Sequence, residues 1–195
     1  QPVLDYWFGD AQNDVSCANE KSALWWGKAT EVDTEIGLRF EPILQLLING
    51  GNRYWLQFPE SRLAAIIALD QFSRNIYRDS PTAFSADQLA LNWCLSGIEA
   101  GLDKQLRPIE RVFFYLPMEH AEDLSTQQRC LWHFQQLMEV VPANHRETFS
   151  GFLAFAESHA AVIEKFGRFP HRNAILGRES TPEELKYLAQ PGSGF

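Results

Sequence analysis

The chain has 195 residues, of which 45% are hydrophobic and 13% aromatic, and its formal net charge is -8. This length and apolar content suffice for one sizeable core, so we expect a single helical domain over residues 1–195. The acidic charge argues against nucleic acid or an anionic membrane as the main partner, because both select a basic surface. The sequence also has no apolar run near the roughly 18 residues that span a bilayer, and we expect no signal peptide.

The three cysteines, Cys17, Cys94 and Cys130, show neither a CxxC motif nor a Cys/His ligand spacing. Their odd number argues against a disulfide framework, and the missing spacing argues against a zinc ribbon. We therefore expect a cytoplasmic protein in a reducing compartment, with no bound cofactor. The sequence leaves the oligomeric state open.

Apolar residues recur with helical spacing through most of the chain, and no segment of any length alternates with period two. These patterns predict an all-α protein in which at least nine-tenths of the regular structure is helical. The predicted helices span about residues 33–48, 59–77, 85–101, 108–117, 131–140 and 144–166, and a last one begins at 181.

Turn and capping residues mark the predicted helix ends. Pro59 and Pro108 suit first helical turns, Pro117 predicts a stop, and Gly167 predicts a left-handed C-terminal cap. Capping boxes are predicted at Ser85-Ala86-Asp87-Gln88, Ser125-Thr126-Gln127-Gln128 and Thr181-Pro182-Glu183-Glu184. We expect residues 190–195 to form a mobile tail.

Short links between antiparallel helices fit two architectures. One is a helical bundle, and the other is an α-solenoid whose helix pairs stack into a right-handed superhelix. The six tryptophans lie at helical spacing and predict core packing.

A charged pair lies on the apolar face of the second predicted helix. At 100° per residue, Asp70 and Arg74 share the face of Leu63 and Ile67. We predict that both side chains are largely buried and interact, because a buried charge needs a partner. Two interpretations stay open: an i,i+4 ion pair that stabilises the helix, or part of a ligand site.

Three histidines lie beside carboxylates. His159 shares the apolar face of the longest predicted helix, His120 lies two residues before Glu122, and His171 follows the end of that helix. Such histidines can be hydrogen-bonded structural groups, acid–base groups or metal ligands. No HExxH or related ligand spacing is present, so we expect no stoichiometric zinc, iron or manganese in the purified protein.

Arg168, Arg172 and Arg178 lie in a stretch that leaves one predicted helix and enters a short one. Guanidinium groups beside a helix N-terminus suit a phosphate or carboxylate. They suit equally the carbonyl groups at the ends of neighbouring helices.

Several strings of the sequence, in order, resemble the DUF924 family, whose function is unknown. They are Leu4-Asp5-Tyr6-Trp7-Phe8-Gly9, Leu69-Asp70-Gln71-Phe72-Ser73-Arg74-Asn75, Ala83-Phe84 with Asp87, Pro117 to Glu122 with Gln127, Gly167-Arg168-Phe169-Pro170-His171-Arg172-Asn173 and Leu176-Gly177-Arg178-Glu179-Ser180-Thr181. The resemblance covers about residues 3–188 and implies an all-helical fold similar to tetratricopeptide-repeat proteins. Where family members often show Met-His-Ser-Glu, this chain has Glu119-His120-Ala121-Glu122, so a mechanism with that serine as nucleophile does not apply.

We predict one site for a small anionic or peptide-like ligand. Its predicted residues are Asp70, Gln71, Arg74, Asn75, His120, Glu122, His159, Arg168, His171, Arg172, Asn173 and Arg178. Of these we expect eight, Asp70, Arg74, His120, Glu122, His159, Arg168, His171 and Arg172, to converge around one point, with an excess of positive charge. An enzyme with His120 or His171 beside Glu122 as acid or base, and a purely structural network, are the alternatives.

Overall fold

The computed structural model describes residues 1–194, and every regular element in that range is helical. The α-helices are α1 (Pro2–Phe8), α2 (Asp14–Trp26), α3 (Thr30–Ile48), α4 (Pro59–Ile67), α5 (Ser73–Ile76), α6 (Asp87–Glu99), α7 (Pro108–Glu119), α8 (Leu124–Val140), α9 (Arg146–Phe166) and α10 (Pro182–Leu188). A π-helical turn, Ala68–Phe72, joins α4 to α5, and 3-10 turns lie at Arg53–Gln57, Pro81–Phe84, Asp103–Gln105, Ala143–His145 and Pro170–Arg172. The all-α prediction is confirmed, and the right-handed superhelix stays a prediction.

Several helices differ from the predicted ones. Helices α1 and α2 were not predicted, and the Asn13 side chain caps α2 by accepting the N–H groups of Val15 and Ser16. The predicted stop at Pro117 is wrong, because α7 continues to Glu119. All of its last eight residues are buried, so packing outweighs the one backbone hydrogen bond that a proline omits.

Of the three predicted capping boxes, only that of Thr181 with Glu184 is present. Helix α6 begins without a side-chain cap, and Ser85 donates its hydroxyl to the Thr82 carbonyl instead. Helix α8 begins after Asp123, whose carboxylate accepts the N–H of Thr126. An aspartate two residues earlier thus replaces the serine as the cap.

The main core lies between helices α1 to α4 and α6 to α9. Trp7 is fully buried in it and contacts the rings of Phe72 and Phe113, both at 5.5 Å between centroids. A second small cluster of Val162, Ile163 and Phe169 packs at the end of α9 and attaches the C-terminal segment there. This second cluster brings the arginine-rich stretch against the polar end of α7.

The remaining local predictions have mixed outcomes. Gly167 ends α9 with a φ of 69°, as predicted, and the three cysteines are buried free thiols. Within residues 1–194, no helix combines the length and apolar character of a membrane span. Ser193 donates to the Leu188 carbonyl, the mobility of the tail stays a prediction, and residue 195 lies outside the described part of the chain.

Gly97 is a packing requirement of the core. A methyl group at Gly97 would lie 2.6 Å from Phe114 Cζ and 2.7 Å from Arg62 Cδ. Arg62 cannot move easily, because its guanidinium donates to the Leu56 and Trp93 carbonyls. We expect Gly97→Ala to lower the free energy of unfolding by about 1–3 kcal/mol, measured by urea denaturation.

Gly37→Ala is the matched control, because a methyl group there meets nothing within 4 Å. Alanine in the middle of α3 should raise the free energy of unfolding by up to about 1 kcal/mol. Equal effects of the two substitutions would contradict the packing argument.

Candidate functional site

Asp70 lies in the π-helical turn between α4 and α5, and its side chain is 1% exposed. The carboxylate accepts hydrogen bonds from His120 Nδ1 at 2.8 Å and from Gln71 Nε2 at 2.6 Å, and it forms an ion pair with Arg74 at 3.3 Å. Burial alone would raise the pKa of Asp70, but Arg74 and His120 hold it well below its usual range. A π-helical turn of this kind is rare and occurs often at functional sites.

Arg74 and Arg172 share the carboxylate of Asp87, at the start of α6. Arg74 donates to both of its oxygens, at 2.9 and 3.0 Å, while Arg172 donates one bond of 3.4 Å. The predicted burial and contact of Asp70 and Arg74 are confirmed, although the Arg74 side chain keeps 21% of its exposure. The carboxylate of Asp87 therefore forms two short hydrogen bonds with Arg74 and a single long one with Arg172.

Arg172 is buried with few hydrogen bonds. Its side chain is 7% exposed, and its guanidinium lies against the rings of Phe84 and Phe169, at 4.8 and 4.6 Å. Its Nε is buried and has no hydrogen-bond acceptor within the described chain. Burial and the charge of Arg74 lower the pKa of Arg172 to about 10, so the guanidinium stays charged at neutral pH while poorly compensated.

His159 on α9 connects Arg172 back to His120. Its ring lies 5.5 Å from Phe169 and 6.1 Å from His120. The contacts therefore close a circle of seven side chains, which we call the contact ring. In order of contact, its members are Asp70, Arg74, Asp87, Arg172, Phe169, His159 and His120.

The histidines of the ring are neutral. Burial, with the charge of Arg74, lowers the pKa of His120 despite its contact with Asp70, and burial with the charge of His120 lowers that of His159 to about 3. The His120 Nδ1 must carry a proton, since Asp70 is an acceptor only. Its Nε2 is then an acceptor, and no residue within the described range donates to it.

Glu119 lies behind the ring as a buried acid. Its carboxyl is 5% exposed and 3.2 Å from His159 Nδ1, which also donates to the Phe155 carbonyl. Burial and the charge of Asp70 raise the pKa of Glu119 to about 8. Glu119 is therefore mainly a neutral carboxylic acid at pH 7.

Four of the predicted residues form a second cluster, the C-terminal network, together with Glu184. Arg178 donates to both oxygens of Glu122, which also accepts the N–H of Phe169. Arg168 donates to both oxygens of Glu184, and Asn173 bonds to Arg178 and Glu184. These groups satisfy one another and fasten the C-terminal segment.

The predicted residues therefore fall into separate groups. The ring contains Asp70, Arg74, His120, His159 and Arg172, with Gln71 bonded to Asp70 and His171 packed 5.6 Å from Phe169. Asn75 lies apart and donates to Asp33. The prediction that all eight residues converge is wrong, because Arg168 pairs with Glu184 outside the ring. Glu122 contacts the ring only through the N–H of Phe169.

The predicted positive excess is also absent. The ring holds two arginines and two carboxylates, because Asp87 joins Asp70, and Arg168 is neutralised elsewhere. The helical pattern had assigned Asp87 to a capping box and had stopped α7 before Glu119, so neither was predicted for the site. The sequence feature that indicates both residues is their position beside other site residues. Asp87 follows Phe84 by three residues, and Glu119 precedes His120.

Two surface depressions lie outside the ring, one along Thr30 to Arg39 on α3 and one between Arg168 and Glu183. Within residues 1–194, no group of three or more His, Cys, Asp or Glu side chains is arranged to hold a metal ion. The expected absence of stoichiometric zinc, iron or manganese from the purified protein stays a prediction.

Comparison with known proteins gives a family without an assigned function. The family described as bacterial proteins of unknown function, DUF924, matches residues 3–192. The solved structure of the protein of unknown function ATU0120 from Agrobacterium tumefaciens is 35% identical, with a TM-score of 0.81 over 96% of this chain and 95% of that one. No curated protein matches the sequence. The chain belongs to the DUF924 family.

Proposed function

We propose that the protein binds a small anionic ligand at the contact ring, with Arg172 as its main anchor. The observation that carries the proposal is the state of the Arg172 guanidinium. It is 7% exposed, its Nε–H has no acceptor within residues 1–194, and its bond to Asp87 is a long 3.4 Å. A buried charged donor without an acceptor is costly, and an anionic oxygen of a ligand would remove that cost.

The ring is arranged so that an added anion would complete the hydrogen bonding of Arg172. Arg74 and Arg172 share Asp87, and Asp70 is already bonded to His120 and Gln71. A carboxylate or phosphate beside Arg172 would supply the acceptor that Asp87 supplies only in part. Guanidinium groups bind such oxygens with charge-assisted hydrogen bonds.

A small ligand is favoured over a peptide, because Arg172 Nε is the one buried donor of the ring that lacks an acceptor within residues 1–194. The arginines of the C-terminal network are bonded to Glu122 and Glu184. This pairing supports a structural role for Arg168 and Arg178. In the contact ring, by contrast, the hydrogen bonding of Arg172 is incomplete.

A second candidate function is acid–base catalysis, favoured by the hydrogen bond between Asp70 and His120. An anionic carboxylate on Nδ1 orients the imidazole and leaves Nε2 as a base. Glu122 does not assist, since Arg178 holds both of its oxygens. Binding remains the first candidate because Arg172 requires an acceptor whether or not a reaction follows.

We expect inorganic phosphate or sulfate to raise the melting temperature, and Arg172→Ala to abolish that rise. At an anion concentration a hundredfold above Kd, binding adds about 2.7 kcal/mol, which corresponds to roughly 5–10 °C for a chain of this size. Differential scanning fluorimetry measures the shift, and circular dichroism confirms helical content.

Arg168→Ala is the control, because Arg168 bonds to Glu184 and not to the ring. It should keep the parent's anion response. Arg172→Lys, which keeps the charge but not the forked donors, should keep a smaller response and serves if the alanine variant does not fold. A full response in both Arg172 variants would contradict the proposal.

A further inference from the structure

We infer that the ligand carries a hydroxyl group next to its anionic group, and that His120 Nε2 accepts the hydrogen bond of that hydroxyl. The ligand class is then a small hydroxycarboxylate or hydroxyalkyl phosphate. This inference rests on the proposed anion site and specifies what that site selects.

The first step is the tautomer of His120. Its Nδ1 lies 2.8 Å from an oxygen of Asp70, and this carboxylate also receives Gln71 and Arg74. Because the Asp70 carboxylate only accepts hydrogen bonds, the proton of the neutral His120 ring lies on Nδ1 and the lone pair lies on Nε2.

The second step is that this lone pair is available to a ligand. The His120 side chain keeps 15% of its exposure, and no donor among residues 1–194 bonds to its Nε2. The ring thus offers two complementary groups: the donors of Arg172 and the acceptor of His120.

The third step places the two groups on one circle of contacts. His120 reaches Arg172 through His159 and Phe169, with spacings of 6.1, 5.5 and 4.6 Å. The charge of Arg172 also contributes to the lowered pKa of His120. A ligand that contacts both groups needs an anionic acceptor and a hydrogen-bond donor.

A hydroxyl fits that donor better than an ammonium group. Arg74 and Arg172 repel a further cation, and both ring carboxylates are already bonded to the arginines and His120. A neutral hydroxyl can donate to Nε2 without adding positive charge.

The test compares pairs of anions that differ by one hydroxyl: lactate with propanoate, and 2-hydroxypropyl phosphate with propyl phosphate. Isothermal titration calorimetry should show the hydroxylated member of at least one pair binding about tenfold more tightly, as one hydrogen bond predicts. His120→Asn can keep a donor toward Asp70 but lacks an atom at the Nε2 position. It should bind both members equally.

His120→Gln is the matched variant, because its amide reaches the Nε2 position and can present an acceptor there. It should keep part of the preference. Equal binding of both members by the parent, or a preference retained by a folded His120→Asn, would overturn the hydroxyl inference and leave anion binding in place. If neither these anions nor inorganic phosphate bind to the parent, the proposed function itself falls, and the inference with it.

Discussion

Replacing Asp70 with asparagine should lower the free energy of unfolding by about 3–5 kcal/mol, the usual cost of removing one partner from a buried ion pair. The change is nearly isosteric, so it tests charge and hydrogen bonding without opening a cavity. Asp70 is 1% exposed and accepts bonds from His120 and Gln71 beside Arg74. The NH2 group of asparagine would face hydrogen-bond donors at a position where the carboxylate accepts them. Arg74 would also lose its buried counter-ion.

The pH dependence gives this substitution a second signature. The folded-state pKa of Asp70 lies below its unfolded value, mainly through Arg74 and His120 acting against burial. Its contribution is therefore complete above about pH 4, the unfolded pKa, and is lost as the pH falls further. Urea denaturation of the parent and the variant should thus give free energies that differ most near neutral pH and approach each other below about pH 4.

Glu35→Gln is the control for Asp70→Asn, since Glu35 pairs with Arg39 at the surface and half of each side chain is exposed. Its effect should be about 0–1 kcal/mol. If Asp70→Asn were as mild as this control, Asp70 would not be an essential counter-ion of the ring.

Glu119→Gln should stabilise the protein at alkaline pH and change little near pH 4. Burial and the charge of Asp70 raise the pKa of Glu119 to about 8. Between its unfolded pKa, about 4.3, and pH 8, only the folded state holds the proton, so the parent loses stability as the pH rises. Glutamine cannot ionise and escapes this loss, which amounts to about 3–5 kcal/mol at about 1.4 kcal/mol per pKa unit.

Urea denaturation at pH 4.5 and pH 8.5 measures the effect. The variant should be more stable than the parent only at the higher pH. Glu164→Gln, an exposed carboxylate on α9, is the control. A constant difference between parent and Glu119→Gln at both pH values would show that Glu119 is not held as a neutral acid.

Helical periodicity predicted most of the helices after α2 and the inward direction of the key side chains. Asp70 shares a face with Leu63 and Ile67, and His159 lies with Ala156 and Ile163, so their burial follows from spacing alone. The π-helical turn at Asp70 was not predictable, because a local i+5 bond leaves no separate mark in the apolar pattern.

Pairing between distant residues was beyond the reach of periodicity. The pattern indicated that Arg168, Arg172 and Arg178 need partners, but not that Glu184 takes the first and Glu122 the last. Those choices depend on how the segment after α9 packs through Phe169. The residue left with incomplete bonding, Arg172, is therefore visible only in the folded chain.

The most direct measurement of the central claim is a crystal structure of the protein grown with phosphate near pH 7. The account predicts phosphate in the contact ring, with an oxygen within hydrogen-bond distance of Arg172 Nε. The same site should be empty of phosphate in crystals of Arg172→Ala. A parent structure in which protein or water oxygens satisfy Arg172 Nε, with no anion in the ring, would contradict the account.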